Sequence, residues 1–332
     1  MTWKDLHPGA RLCLESLRLA GFAAYPVGGC IRDLLLGRVP GDVDVCTAAH
    51  PEAVMALFPR AVPTGLQHGT VTVPTETGNV EVTTFRREGG YADSRHPDAV
   101  TFDAGLREDL ARRDFTVNAM ALSQEGEVID LFGGREDLKG GVIRCVGEPD
   151  KRFSEDALRM FRAIRFRAQL GFTLEEGTAQ ALRRNARLAD KLSRERIRAE
   201  MEKTLLSPRP QVVGEMIAAG LLDHIYAFPA ELCREERLAE SLRSLPPTAE
   251  ARWRGFCELT GFPISALPVE RKLRRAVEHP EAAVIPTLAL SAQDLMALGL
   301  SGPAISAAQK RLALHVLEKP EDNTKEKLKK LL

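Results

Sequence analysis

The sequence predicts an α+β fold with its strands first: a mixed α/β head over residues 1–145, followed by an all-helical remainder. Three observations carry this. Two β-branched, alternating runs, Gly69-Thr70-Val71-Thr72-Val73 and Val80-Glu81-Val82-Thr83-Thr84-Phe85, flank a Thr77-Gly78-Asn79 turn and read as a hairpin. From Ser154 onward strand signals fade and helical spacing takes over, punctuated by Pro208, Pro210, Pro246, Pro247, Pro263 and Pro268. With 332 residues, 44% of them hydrophobic and 28% charged, the chain can bury more than one ordinary globular core.

In chain order, residues 8–20 have helical spacing and 23–27 are strand-like. Residues 30–37 form a short amphipathic helix, 42–46 a strand and 51–58 a helix. The hairpin follows. Residues 86–98, with Gly89, Gly90 and Pro97, read as a polar loop long enough to serve function. A short apolar helix containing Asn118 comes next, then a last strand at 128–131 and a glycine-rich turn region from Gly133 to Gly141. Ser154-Glu155-Asp156 reads as a helix N-cap with acidic first-turn residues. The last dozen residues, rich in Lys, read as a frayed helix.

Bulk properties exclude several classes. The longest near-apolar stretch, 282–292, is too short to span a bilayer and contains Pro286. The N-terminal residues lack a basic-then-apolar leader pattern. Six scattered cysteines without a Cys-x-x-Cys pair read as reduced thiols of a cytoplasmic protein, and seven histidines show no zinc spacing. Net charge is zero, yet residues 151–210 hold 15 Lys and Arg against 8 Asp and Glu, a local +7 that leaves −7 elsewhere. Such a segment suits a polyanionic partner, or else a solvated helical face.

The most chemically pointed stretch runs Gly28-Gly29-Cys30-Ile31-Arg32-Asp33, then Gly41-Asp42-Val43-Asp44. Backbone N–H groups at a glycine-opened helix favour phosphate. Alternate strand residues share a face, so Asp42 and Asp44 project together. Paired carboxylates repel unless a cation lies between them, and Mg²⁺ suits such oxygens. Phosphate cradle and metal carboxylates together point to phosphoryl or nucleotidyl transfer.

With these come Arg112-Arg113-Asp114-Phe115-Thr116-Val117-Asn118-Ala119-Met120, Glu155-Asp156-x-x-Arg159 and Glu195-Arg196-x-x-x-Glu200. The five motifs, in this order over residues 28–200, resemble the class II tRNA nucleotidyltransferase family, the CCA-adding enzymes and their poly(A) polymerase relatives. The resemblance implies a polymerase-β-type nucleotidyltransferase head at 1–145, a helical neck at 146–210 that recognises the base, and a helical body and tail at 211–332 that binds tRNA. It implies transfer of CMP and AMP, or of the terminal AMP alone, from CTP and ATP to a tRNA 3′ end with release of pyrophosphate. Two Mg²⁺ ions would sit on Asp42 and Asp44. Glu81, on the neighbouring strand, would orient the metal ligands or help activate the attacking hydroxyl. Gly28, Gly29, Arg32, Asp33, Arg113, Asp114 and Asn118 would seat triphosphate and sugar. No DNA or membrane partner is expected, and nothing in the sequence sets an oligomeric state.

Base choice has a physical rationale. Cytosine and adenine each present an exocyclic amine beside a ring-nitrogen acceptor, whereas guanine and uracil present a carbonyl beside N–H. On a helix Asp156 and Arg159 are i, i+3 and share a face. Asp156 accepts from the amine and Arg159 donates to the ring nitrogen, so mismatched bases leave buried polar groups unpaired. An ordinary intrahelical ion pair is the competing reading. Glu155, Glu195, Arg196 and Glu200 would buttress the pair, and Arg162, Arg165 and Arg167 would face nucleotide or tRNA phosphates. The resemblance implies that enzymes able to add the terminal A keep a flexible loop where this chain has 86–98, while those adding only two C's have it shortened, which argues against a CC-only enzyme. Thr64-Gly65-Leu66-Gln67-His68-Gly69-Thr70 lacks the basic run associated with bacterial poly(A) polymerases, which ranks that activity lower. A small-molecule nucleotidyltransferase and a non-catalytic RNA-binding module are the remaining alternatives.

Overall fold

The computed structural model describes residues 2–89, 99–102, 104–229, 235–279 and 288–332. The chain forms two compact units, Met1–Pro247 and Thr248–Leu332.

The first unit opens with α1 (Pro8–Leu19), where Pro8 stands at the first turn and His7 Nδ1 accepts from the Ala10 N–H at 3.2 Å. The head continues β1 (Ala24–Val27), α2 (Gly29–Leu35), β2 (Asp44–Thr47), α3 (Pro51–Leu57), β3 (Val62–Gly65), β4 (Thr70–Thr75) and β5 (Gly78–Thr84). Next come β6 (Arg87–Gly89), β7 (Ala99–Thr101), α4 (Leu106–Ala111), β8 (Met120–Leu122), β9 (Val128–Asp130), α5 (Gly134–Gly140) and β10 (Val142–Ile143). Seven strands form one sheet in the order β3-β4-β5-β2-β1-β8-β9. Only the β2–β5 contact within it is parallel, so the sheet is mixed. That contact pairs Asp44 with Glu81. The pleat buries Val45 and Cys46 behind Asp44, and Val27, Cys46, Phe85, Leu110 and Ala121 close one core beneath the sheet.

The rest of the first unit is mainly helical: α6 (Pro149–Glu155), α7 (Leu158–Leu170), β11 (Thr173–Leu174), α8 (Glu176–Arg184), α9 (Arg194–Leu205), α10 (Gly214–Ala218) and α11 (Glu235–Ser244). Helix α7 is its axis: Met160, Phe161, Ala163, Ile164 and Ala168 are buried, and Gly171 ends it in the left-handed conformation at φ 77°. The second unit holds α12 (Ala249–Thr260), α13 (Arg271–Glu278), α14 (Ala292–Ala297), α15 (Pro303–Glu318) and α16 (Lys325–Lys329). Among the described residues, no helix is long and apolar enough to cross a membrane. The described cysteines, 13, 30, 46, 145 and 257, are free thiols.

Several expectations need correction. The segment around Asn118 is a single 3-10 turn, Thr116–Asn118, leading into β8, because sheet pairing to β1 and β9 claims the apolar residues that follow. Residues 128–131 do not contain the last strand: β10 and β11 pair in parallel, each two residues long and too short to alternate visibly. Edge strand β3 was hidden by Pro63, which an edge tolerates. Ser154-Glu155-Asp156 is not a helix start. It ends α6, and the break falls at Asp156, whose backbone is extended at φ −146°. The terminal helix α16 is capped by Thr324, and it buries Leu328 in the core of the second unit, so it is not frayed. The start of the expected 86–98 loop, β6, pairs with β7 just beyond its end, while residues 90–98 lie outside the described residues.

Candidate active site

A cleft of about 610 Å³ runs within the first unit, between the exposed end of β2 and the neck helix α7. Its wall brings together Gly28, Gly29, Arg32, Asp42, Asp44 and Glu81 from the head with Arg113, Asp114, Asn118, Asp156, Arg159 and Arg162. Arg86, Arg112, Arg165 and Arg196 also line it, which makes eight arginines against five carboxylates. Four carboxylates behind the wall, Asp33, Asp109, Glu155 and Glu200, pair with Arg32, Arg112, Arg113, Arg159 and Arg165, so the cleft presents many guanidinium donors without a net positive excess.

The floor is set by one glycine. Gly28 has φ +80°, and a Cβ there would lie 2.7 Å from Arg113 Nη1 and 3.7 Å from Asp44 Oδ2. Only glycine combines this backbone conformation with so close an approach. Gly29 is less constrained, since its Cβ would make ordinary contact with Arg32. The Gly28 N–H is held by the Met120 carbonyl at 3.1 Å, which fixes α2 to β8.

Asp44 opens β2, and Asp42 lies just before the strand; both remain exposed to the cleft. Desolvation raises the pKa of Asp44, Arg113 opposes the rise, and Asp42 adds to it by repulsion. Glu81 is raised in the same way, by desolvation and then by Asp44 and Asp42. The carboxylate cluster is therefore short of positive charge as it stands. Among the described residues, no three His, Cys, Asp or Glu side chains are grouped to hold a metal ion. Asp42 and Asp44 alone fit Mg²⁺, which commonly takes one or two carboxylates and completes its shell from substrate phosphate and water.

Arg32 is held from two sides. Its Nε and Nη2 donate to the two oxygens of Asp33 at 2.9 and 3.0 Å, and its Nη1 donates to Asn118 Oδ1 at 2.7 Å. Asp33 thus stands behind Arg32. The Asn118 amide donates onward to Asp114 Oδ1 at 3.2 Å, and Arg162 Nε donates to Asp114 Oδ2 at 2.7 Å. Burial opposes ionisation of Asp114, but Arg162, Asn118 and the Phe115 N–H outweigh it and hold the carboxyl down to about 2.

Asp156 and Arg159 both line the cleft but do not pair. Asp156 Oδ1 accepts from the Leu158 N–H at 3.0 Å, and its Oδ2 accepts from Arg196 Nη2 at 2.7 Å. Arg159 Nη1 donates to Glu155 Oε2 at 2.6 Å and to the Arg152 carbonyl, and its Nη2 donates to the Arg112 carbonyl at 3.0 Å. The shared helical face expected from i, i+3 spacing is absent because the chain breaks between α6 and α7 at Asp156 itself. Glu200 braces Arg165, and Glu195 is exposed on the first turn of α9. Arg165 and Arg167 are paired with Glu200 and Glu215. Much of the positive segment at 151–210 is neutralised in this way, including Arg152, Arg184 and Arg198 by Glu155, Asp150 and Glu202.

Residues 24–144 match the Poly A polymerase head domain, and 171–231 match the Probable RNA and SrmB-binding site of polymerase A. Among known proteins, the CCA-adding enzyme of Lactiplantibacillus plantarum is 46% identical over 248 residues, 74% of this chain and 60% of its own length. That of Anoxybacillus flavithermus is 48% identical over 252 residues, 75% of this chain and 63% of its own length. The matched stretch therefore spans less than two thirds of these relatives. The crystal structure of the Bacillus stearothermophilus CCA-adding enzyme in complex with CTP superposes with a TM-score of 0.73 at 32% identity, covering 98% of this chain and 95% of that one. The chain belongs to the tRNA nucleotidyltransferase and poly(A) polymerase family.

The head of this tRNA nucleotidyltransferase family member has the polymerase-β-type fold. Two cleft-forming residues escaped the sequence reading. Asp109, with no exposed side-chain surface, takes Arg112 Nη2 at 2.7 Å and Arg113 Nη2 at 3.2 Å, so it aims two cleft arginines at once. Its i, i+3 and i, i+4 spacing to them was the available signal. Phe166 carries the guanidinium groups of Arg32, Arg162 and Arg165 within 5.4 Å of its ring centroid. Its helical spacing marks an ordinary core residue, and nothing local distinguishes it.

Proposed function

We propose that the chain is a template-independent RNA nucleotidyltransferase that adds CCA, or its terminal A, to a tRNA 3′ end from CTP and ATP, releasing pyrophosphate. One observation carries this reading: a single cleft holds the Asp42 and Asp44 carboxylates together with the separately anchored Asp156 and Arg159. Asp42 and Asp44 would hold Mg²⁺, which supplies Lewis-acid activation of the 3′-hydroxyl and charge neutralisation on the triphosphate.

The protein's own groups do the rest. Arg113 lines the cleft with Asp44, its charge acts on that carboxylate, and its buried Nε has no hydrogen-bond partner, which suits a cation reserved for a phosphate oxygen. Arg32, locked by Asp33 and Asn118, offers a fixed cation on the same wall. Glu81, register partner of Asp44, lies where it can orient the metal ligands or the attacking hydroxyl. Asp156 accepts from the exocyclic amine of C or A, and Arg159 donates to the adjacent ring nitrogen. Each is aimed by its own ionic partner, so recognition costs little reorganisation. The CTP seated in the Bacillus stearothermophilus relative supports a nucleotide in this cleft.

The family description leaves poly(A) polymerase as the second reading. Incubation with tRNAs ending at the discriminator base, at C and at CC, with all four NTPs, followed by product sequencing, tests both. Products ending in CCA support the proposal. Runs of A on unrelated RNA support the second reading, and no extension with Mg²⁺ defeats both.

A further inference from the structure

We propose that Arg152 is a positioning residue for nucleotide choice, acting through Glu155 on Arg159. The proposal rests on the reading of Asp156 and Arg159 as the base-selecting pair.

Helix α4 ends at Ala111 with Arg112 as its C-cap. The last carbonyls of a helix lack partners within it. Here two neck arginines supply them. Arg152 Nη1 donates to the Ala111 carbonyl at 3.1 Å, and Arg159 Nη2 donates to the Arg112 carbonyl at 3.0 Å. Between the two guanidinium groups sits Glu155. Its Oε1 accepts from Arg152 Nη2 at 2.9 Å, and its Oε2 accepts from Arg159 Nη1 at 2.6 Å. The backbone carbonyl of Arg152 also accepts from Arg159 Nη1, at 2.9 Å. All three side chains are largely buried, with 10–13% of their surface exposed.

The direction of Arg159 is thus set by a bracket: a carbonyl of the head on one side, and a carboxylate shared with Arg152 on the other. Arg152 is the member that joins both sides, because its planar fork reaches the end of α4 and Glu155 together. Helix α4 leads directly into Arg112 and Arg113, so the bracket ties base reading to the cleft arginines beside Asp44. Without Arg152, Glu155 is left with Arg159 as its partner in this bracket. A buried carboxylate short of positive charge draws that partner harder. Arg159, already bonded to Glu155 at 2.6 Å, is then drawn further onto it and away from the base. The Ala111 carbonyl meanwhile loses its donor, and α4 loses a tie to the neck.

The test uses the full chain with Arg152→Gln and Arg152→Lys, and measures kcat/KM for CTP, ATP, GTP and UTP on tRNA lacking its terminal nucleotides. The expected result for Arg152→Gln is a fall of about tenfold in the preference for C and A over G and U, the equivalent of roughly 1.4 kcal/mol. Incorporation of CTP should persist. Arg152→Lys, able to reach one partner but not both, should fall between. A variant that loses thermal stability yet keeps the parent preference within twofold overturns the proposal, since a merely structural Arg152 would lower all four rates alike. If Arg152→Gln does not fold, the ratio in Arg152→Lys decides in the same way. A parent chain that extends tRNA with no preference among the four NTPs overturns the base-selecting reading beneath it, and a parent that extends nothing overturns the proposed function.

Discussion

Asp156 and Arg196 lie forty residues apart and share an ion pair, Nη2 to Oδ2, at 2.7 Å. The pair spans the gap between the end of α6 and the first turn of α9. It leaves Arg159, three residues after Asp156, to a different anchor on Glu155. A carboxylate and a guanidinium that would otherwise neutralise each other are thereby kept apart in one cleft.

Arg196→Ala should release Asp156 to rotate or to collapse onto a nearby arginine. The expected result is a loss of roughly 1–3 kcal/mol of discrimination, the size of one good polar contact to a base. Misincorporation of GTP and UTP on tRNA lacking its terminal nucleotides measures it. Unchanged ratios would reduce Arg196 to a packing role.

Asp44→Asn should abolish nucleotide incorporation while leaving tRNA affinity nearly unchanged. Loss of metal charge compensation removes several kcal/mol of transition-state stabilisation, on the order of a factor of 10³ or more. The same variant should be more stable than the parent in EDTA, because desolvation and Asp42 disfavour the charged form of Asp44. Paired thermal melts and single-turnover assays check both halves. Turnover within about tenfold of the parent would contradict the assignment.

Gly28→Ala should be strongly impaired in activity. The backbone at φ +80° disfavours any side chain, and the new Cβ would press the Arg113 guanidinium at 2.7 Å. A non-glycine residue in such a conformation costs about 1–3 kcal/mol. Gly29→Ala, where contact is ordinary, should be mild. Equal effects on KM for CTP at the two positions would refute the distinction.

Where local chemistry decides structure, the sequence was readable. The Thr70–Thr75 and Gly78–Thr84 hairpin, the α2 segment after Gly28 and the strand at Asp44 all follow from alternation and turn residues. Residues from each motif line one cleft, although Asp33, Glu155, Glu195 and Glu200 do not. What escaped is set by distant contacts. The turn at Thr116–Asn118 answers to sheet pairing with β1. The partners of Asp156 and Arg159 were hidden because a helix break at Asp156 carries no glycine or proline signal. Arg162, Arg165 and Arg167 read as facing phosphates, and the sequence gives no local sign that Asp114, Glu200 and Glu215 pair with them.

Asp114 gives a pH dependence with a defined sign. Its folded-state pKa, near 2, lies below the ordinary 3.8, so it contributes stability above pH 4 that is lost as the pH falls through about 2. The shift corresponds to a contribution on the order of 2 kcal/mol at neutral pH. Asp114→Asn should therefore lower the melting temperature at pH 7 and flatten its fall between about pH 4 and pH 2. A variant with the parent's acid profile would show that Arg162 and Asn118 do not hold the charged form.

The most direct measurement compares kcat/KM for CTP, ATP, GTP and UTP on tRNA lacking its terminal nucleotides, for the parent chain and for Asp156→Ala/Arg159→Ile. The parent should prefer CTP and ATP. The double variant should be slow and nearly indiscriminate with Asp42 and Asp44 untouched, because two base contacts of roughly 1–3 kcal/mol each are gone. If the double variant keeps the parent's ranking and loses only a uniform factor in rate, the protein does not choose the base through this pair.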